Sequence, residues 1–370
     1  MRKRRILINA LSVTQGGGRS YIRNLLRELE RDPRGFEFTV IGAADQLTPE
    51  DTGEIEAVRV TLPGSARLPF RIFYEVVILP LRALAFDLLY CVADISPFVT
   101  LTPTVVALRN LNIYDHRFYD DARIHMLERL VRLGNRRARR IVFPTRAAAD
   151  LVARAVTVPK GRAIVIPHGI SPEAFAVGAP RPPADVPYLF LAASLEWHKN
   201  VPVLIESLRY VADPRLEVWI AGSEEIDPPC AAEVRRVVAR LGLEDRVRFL
   251  GAVSYREILA YYRGAVAFVF PSFLESFGHP LLEAMLAETP IVAADIPSFH
   301  EVAGEAALYF PPEDPVALAR AVERLRSEPE ATRGRVERGR ALAQGYSWQR
   351  SVDRLCEVFR EVLSESGASP

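Results

Sequence analysis

A chain of 370 residues with 49% apolar content is long enough to organise two globular domains. Its 25% charged and 9% aromatic content excludes disordered, collagen-like and low-complexity architectures. With 47 basic and 46 acidic side chains the formal charge is +1, so the whole-chain basic field of a nucleic-acid binder is absent.

Only Lys3, Lys160 and Lys199 among the basic residues are lysines, so a lysine here is not surface filler by default. Cys91, Cys230 and Cys356 are far apart, odd in number and form no Cys-x-x-Cys. That pattern suits a reducing, cytoplasmic compartment and argues against a disulfide framework or zinc ribbon. The opening Met1-Arg2-Lys3-Arg4-Arg5 carries the charge of a secretion signal, but the apolar stretch from Ile6 soon meets Gly16, Gly17 and Gly18. A buried first strand fits it better. The most apolar run, Ile72 to Val92, is broken by Glu75, Pro80, Arg82 and Asp87 and is not a membrane span.

In chain order, β-rich runs are expected at Arg5–Ala10, Phe36–Ile41, Leu88–Cys91, Thr104–Leu108, Arg140–Phe143 and Ala163–Ile166. More follow at Pro187–Ala192, Leu216–Ala221, Val247–Leu250, Val266–Phe270, Pro290–Ala293 and Ala306–Phe310. Helical periods such as Arg19–Arg31, Ile124–Arg137 and Val201–Val211 fall between them. Such alternation predicts an α/β protein with parallel sheets covered on both faces. Pro180, Pro182, Pro183 and Pro187 make a semi-rigid linker over 179–187. The expected organisation is a first Rossmann-like domain over 1–178, that linker, a second domain over 188–345, and a final helical segment over 346–370. Doubly wound domains bind ligands beyond the carboxyl ends of their strands, so the ligand is expected between the two.

Three loops carry chemistry. Gln15-Gly16-Gly17-Gly18-Arg19-Ser20 lies between the first strand and first helix, where glycines let backbone N–H groups approach an anion. It is neither the dinucleotide fingerprint, since Tyr21 stands at the last glycine position, nor a Walker A loop. A tight structural turn is the plainer reading. The second loop, Glu275-Ser276-Phe277-Gly278-His279-Pro280-Leu281-Leu282-Glu283, follows the strand ending at Phe270 and Pro271-Ser272. Pro280 marks the first turn of a helix and places Glu283 in that turn, with Glu275 on the loop before it. Two carboxylates around one helix start can accept hydroxyls while the N–H groups meet an anion; a dipole-matching Glu283 with a solvated Glu275 is the alternative. The third loop, Ser194-Leu195-Glu196-Trp197-His198-Lys199-Asn200, occupies the equivalent position in the second domain. A lysine at a helix start opposes the dipole, and an anionic ligand such as a diphosphate would account for it.

Together these loops resemble the retaining glycosyltransferases of family 4, also called group 1, over nearly the whole chain. The likeness is densest from Val247 to Pro312: Arg248-Phe249-Leu250-Gly251, Pro271-Ser272, the Glu275/Glu283 element and Pro290-Ile291-Val292. Ile166-Pro167-His168-Gly169-Ile170 and Tyr346-Ser347-Trp348 are similar to the segments that end the family's first domain and open its last helix. The resemblance implies the GT-B fold, two Rossmann-like domains facing across a cleft, with the last helix crossing back to the first domain. It also implies transfer of a sugar from a nucleotide-sugar donor to a glycan or lipid-linked acceptor, with retention of configuration. By family role, Glu283 would hold the ribose and Glu275 the donor sugar. Lys199 would meet the diphosphate, with Gly16, Gly17, Gly18, Ser194, His198, Gly251, Ser272, Phe277, Gly278 and His279 lining the donor. No cofactor or metal is implied, and no Asp-x-Asp occurs in the chain.

Two positions depart from the family. Ala193-Ser194 stands where many members carry Gly-Arg, leaving His198 or Lys199 alone to meet the phosphates, and Arg109-Asn110 stands where many carry His-Asp. His116 is the candidate to take over that second, catalytic role; a surface-loop histidine is the alternative. Arg129, Arg132 and Arg136 share one helix face, which is either a solvated face or a peripheral contact with an anionic membrane. A nucleotide-sugar-binding scaffold or sensor without turnover, and less so a GT-B epimerase, remain alternatives to the transferase. An NAD oxidoreductase lacks its fingerprint.

Overall fold

A computed structural model describes residues 2–13, 17–64, 67–171 and 186–367. Gly16 and positions 179–185 of the expected linker lie outside the described residues. The chain divides into two compact units, Met1–Gly169 with Ser347–Pro370, and Ile170–Tyr346.

Among the described residues the first unit holds seven strands: β1 (Arg4–Asn9), β2 (Phe36–Ala43), β3 (Glu56–Val60), β4 (Leu88–Cys91), β5 (Thr104–Ala107), β6 (Arg140–Phe143) and β7 (Ala163–Val165). All pair in parallel in the order β3-β2-β1-β4-β5-β6-β7. β4 and β5 are buried throughout, which their unbroken apolar sequences require of a sheet covered on both faces. β3 was not expected. It is an edge strand in which Glu56 and Arg59 are exposed, so it lacks the continuous apolar run that marks its neighbours.

The broken apolar run has a physical explanation. Helix Arg67–Phe73, a π-turn at Tyr74–Ile78 and helix Leu79–Ala83 follow one another without a gap. Phe73, Val77, Leu81 and Leu84 face outward, while Glu75 turns inward. Asn9 donates to Glu75 Oε1 at 2.9 Å, and burial pushes that carboxyl up to about 7. Among the described residues no helix is long and apolar enough to cross a membrane.

The last helix, Trp348–Glu365, completes the first unit. Ser347 caps it by accepting from the Arg350 N–H at 3.1 Å. Val352, Leu355, Phe359, Val362 and Leu363 recur at helical spacing and are buried with the residues of β1 and of helix Gly17–Arg31. Its entry is a close backbone crossing. A Cβ on Gly169 would lie 2.1 Å from the Trp348 nitrogen and 2.5 Å from its Cα. His168 fits beside it, with its ring centroid 4.9 Å from that of Tyr21 and 6.2 Å from the Trp348 ring.

The second unit holds β8 (Tyr188–Ala192), β9 (Glu217–Ala221), β10 (Val247–Gly251), β11 (Ala267–Phe270), β12 (Ile291–Ala294) and β13 (Ala307–Phe310). They too are parallel, in the order β10-β9-β8-β11-β12-β13. In each unit the strand order reverses at one point, between β1 and β4 and between β8 and β11. In open α/β sheets the ligand crevice lies at the carboxyl ends of the strands beside such a point.

The crossing at Gly169 gives a stability prediction. Gly169→Ala forces a methyl against backbone that cannot rotate away, at a cost of about 1–3 kcal/mol. Its thermal midpoint should fall, whereas Gly334→Ala, in the helix Pro329–Ala343, where a Cβ would meet only the Arg338 guanidinium at an ordinary 3.6 Å, should leave the midpoint unchanged or slightly raised. Equal midpoints for Gly169→Ala and the parent would show that the crossing has room to relax.

Candidate active site

The loops flanking the β8/β11 reversal are the two that carry Lys199 and Glu275. After β8 the chain makes a single 3-10 turn, Trp197–Lys199. Asn200 then adopts a left-handed conformation (φ 53°, ψ 41°) and leads into helix Val201–Ser207. Lys199 thus precedes the helix rather than beginning it. Asn200 also joins the surrounding loops, its amide donating to the Pro271 carbonyl at 3.1 Å and the Pro312 carbonyl at 2.6 Å. The Phe273 N–H donates to the His198 carbonyl at 2.8 Å, tying the β8 and β11 loops directly.

Across that junction Lys199 Nζ lies 2.6 Å from Glu275 Oε1, and Ser272 Oγ donates to the same oxygen at 3.1 Å. The side chains of the pair are only 17% and 14% exposed, so water screens them little. Lys199 Nζ also stands 5.9 Å from the Phe270 ring centroid. His198 is buried, and burial together with the Lys199 charge holds its imidazole down at about 2. It is therefore neutral near pH 7 and brings no cation to the site.

Gly278 caps helix His279–Leu286 with φ 93° and ψ 57°. A Cβ there would be strained and would meet Phe299, Leu281 and Phe270 at 3.1–3.4 Å, so glycine is required. Pro280 occupies the first turn as expected. Glu283 corrects the sequence reading: it is the fifth residue of the helix, beyond the first turn, where it accepts from Tyr262 Oη at 3.0 Å. Burial raises its carboxyl above the ordinary value. Phe277 is buried, and its ring meets that of His279 at 5.2 Å.

Neighbouring strand ends close ranks around Ser194 and Gly251. The Leu195 N–H donates to Ser223 at 3.0 Å, and the Gly222 N–H donates to Gly251 at 2.9 Å. A Cβ on Gly222 would lie 2.0 Å from the Ala193 carbonyl oxygen. Gly251 itself has φ 67°. Glu196 escaped the sequence reading. It feels the charges of both Lys199 and Glu275, and burial raises its carboxyl. Tyr262 and Asn200 escaped it too, since their partners are distant in sequence and nothing in their neighbours signals the contact.

In the first unit, Gly17 and Gly18 open helix Gly17–Arg31 after β1. A Cβ on Gly18 would come within 3.9 Å of the Arg109 guanidinium, which lies 4.2 Å over the Tyr21 ring. The Arg109 and Asn110 N–H groups donate to Asp94 Oδ1 at 2.9 and 3.1 Å. Asp94, just beyond β4, is buried and has φ 47°. Arg109 is therefore a cation at this unit's own strand reversal, a role its sequence position alone did not show. His116, also of the first unit, is held by Asp120 and Glu128 at 3.3 Å each.

Comparison with known proteins accords with this geometry. The profile of "Glycosyltransferase Family 4" matches residues 15–174, and that of "Glycosyl transferases group 1" matches residues 176–342. The O-antigen chain mannosyltransferase RfbU of Salmonella typhimurium is 29% identical over 62% of this chain and 64% of its own length. The chain thus spans less than two thirds of that relative. Sucrose-phosphate synthase from Thermosynechococcus elongatus superposes with a TM-score of 0.78 at 19% identity, covering 98% of this chain and all of that one. HepE of Anabaena, solved in complex with UDP-glucose, gives the same TM-score and identity over 97% of this chain and all of that one. The chain belongs to the group 1, family 4 glycosyltransferases and has the two Rossmann-like units of their GT-B fold.

Proposed function

We propose that the protein is a retaining glycosyltransferase that moves a sugar from a nucleoside-diphosphate sugar to an acceptor hydroxyl, in the synthesis of a cell-surface glycan of the O-antigen or lipopolysaccharide kind. The observation that carries the reading is the Lys199–Glu275 pair at the β8/β11 reversal, beside the Gly278-capped helix start. The name of the Salmonella relative supports the glycan class and makes a mannosyl donor the first to try.

In this reading the donor diphosphate lies against the N–H groups around Phe277–His279 at the helix start, where the helix dipole favours an anion. Departure of the nucleoside diphosphate builds negative charge, which Lys199 and those fixed dipoles stabilise without reorganising. Glu275 positions Lys199 before the donor arrives and accepts from the sugar hydroxyls afterwards, with Ser272 keeping its carboxylate oriented. Glu283, already fixed by Tyr262, accepts from the ribose, while Ser194 and Gly251 border the donor. The leaving phosphate takes the acceptor proton on the face it departs from, which accounts for retention without a carboxylate nucleophile. Because Lys199 and the helix start meet the developing charge, turnover should need no divalent cation. Gly17, Gly18, Arg109 and Asp94 stand together at the strand reversal of the first unit.

The membrane-contact reading narrows. Arg132 is occupied by Glu128 at 2.6 Å and by the Ala155 carbonyl at 2.8 Å. Arg129 and Arg136 share the exposed face of helix Ala122–Arg137 with Met126 and Leu133, which are 41% and 43% exposed. We propose this mixed basic and apolar face as the peripheral contact with an anionic membrane.

Two experiments test these readings. Thermal midpoints with UDP, GDP, ADP and dTDP, each beside its monophosphate and without added metal, should single out one diphosphate. At 100 times its dissociation constant it should stabilise by about 2.7 kcal/mol. The matching nucleotide-sugar should release free nucleoside diphosphate, and Glu275→Ala should abolish that release while keeping nucleotide affinity within a few-fold. Binding without any release by the parent chain would favour a sensor instead. In flotation with anionic vesicles, replacing Arg129 and Arg136 together by alanine should weaken partitioning by about 2 kcal/mol, roughly thirtyfold. Unchanged partitioning would remove the helix from the membrane reading.

A further inference from the structure

A second cluster of titratable side chains lies in the first unit, on the segment between β5 and helix Ala122–Arg137 and on that helix itself. Asp121 caps the helix, accepting from the Ile124 N–H at 2.8 Å. One turn in, His125 and Glu128 stand at i and i+3, the spacing that places two side chains on one face. His116, on the preceding segment, lays its ring on that of His125, with centroids 4.7 Å apart and planes at 28°. One ligand atom each from His116, His125 and Glu128 lies within 4.8 Å of the other two.

The surroundings orient these groups. Asp120 Oδ1 is 3.3 Å from His116 Nδ1 and 2.8 Å from His125 Nε2, so one carboxylate holds a nitrogen of each ring. The second nitrogen of His116, Nε2, lies 3.3 Å from Glu128 Oε2. The other Glu128 oxygen accepts from Arg132 at 2.6 Å, which fixes the carboxylate with Oε2 turned to the imidazole. A carboxylate on one ring nitrogen and a metal on the other is the usual second contact of a ligating histidine. Metal bonds of about 2.1 Å in tetrahedral geometry set ligand atoms roughly 3.4 Å apart. The His116–Glu128 edge already has that length. The His125 side chain is 49% exposed, and closing the remaining gap requires its ring to turn within the Asp120 contact.

We propose that His116, His125 and Glu128 bind a divalent transition-metal ion of the zinc class, with Asp120 orienting the imidazoles. Two imidazoles and one carboxylate form the nitrogen–oxygen set that zinc and cobalt accept, with a fourth position left to water. The ion staples the segment after β5 to the start of helix Ala122–Arg137. That segment also carries Arg109 and Asn110, so the metal orders an edge of the first unit. The existence of the site does not depend on the glycosyltransferase reading.

The test uses the full chain stripped of metal with a chelator and titrated with Co²⁺, then with Zn²⁺. One Co²⁺ per chain should bind, with the visible absorption of a four- or five-coordinate ion, and Zn²⁺ should displace it. His116→Ala, His125→Ala and Glu128→Gln should each weaken binding by more than about tenfold, and Asp120→Asn by about tenfold. His300→Ala, which alters a histidine paired with Asp295 in the other unit, should bind as the parent does. Zn²⁺ should raise the thermal midpoint of the parent but not of His125→Ala, whose exposed position leaves the metal-free midpoint unchanged. Failure to bind Co²⁺ stoichiometrically, or binding that survives His125→Ala, would overturn the proposal and leave the cluster as a hydrogen-bonded helix start.

Discussion

A lysine and a glutamate 2.6 Å apart, on the loops that follow β8 and β11, form the constraint around which the candidate site is arranged. Removing two charges from water costs several kcal/mol per ion, and their mutual attraction offsets this only when the geometry is good. Here it is: Ser272 supports the carboxylate, Phe270 faces the ammonium, and Asn200 pins the loops that carry both. Breaking such a pair inside the protein is costly unless another anion takes the place of Glu275. A diphosphate at the neighbouring helix start is an anion of that kind, and it releases Glu275 to bind hydroxyls. The ion pair thus links the local fold to the proposed chemistry.

The two units reach comparable solutions with different residues. Each places a helix start and a cation beside the point where strand order reverses: the Gly278-capped helix with Lys199 in one, the helix opening at Gly17 and Gly18 with Arg109 in the other. Parallel strands point their carboxyl ends and the following helix starts toward one edge, so backbone dipoles collect there whatever the sequence. Specific side chains then decide what that edge binds. Arg109 is held by stacking on Tyr21 and by the two backbone bonds to the buried Asp94. Among the described residues it makes no ion pair, and its charge acts on Asp94 through space.

Much of this was legible in the sequence because it is local. Unbroken apolar runs announced the central strands, and Gly278 with Pro280 announced the helix start. What failed depends on contacts between distant residues. Lys199 and Glu275 are 76 positions apart, and only the order of strands brings them together. Glu283 was placed too early in its helix because Pro280 marks the first turn loosely, and its partner Tyr262 sits on another helix. Glu75 read as an interruption of an apolar stretch, yet a π-turn rotates it inward to Asn9 while Phe73, Val77, Leu81 and Leu84 face out. The burial of His198, invisible in a polar loop sequence, keeps it neutral, so it could meet a phosphate only as a hydrogen-bond donor. β3 was hidden by the charged residues that an edge strand tolerates.

The central claim is that Lys199 is reserved for a diphosphate and that Glu275 holds it until one arrives. A double-mutant cycle on nucleotide affinity tests this most directly, comparing diphosphate with monophosphate for the parent, Lys199→Ala, Glu275→Gln and the double variant. The account predicts that Lys199→Ala collapses the preference for diphosphate by about tenfold or more, equivalent to about 1.4 kcal/mol. Glu275→Gln keeps or increases the preference, because the lysine is freed, and the double variant matches Lys199→Ala. An undiminished preference in Lys199→Ala, or equal losses in the two single variants, would contradict it.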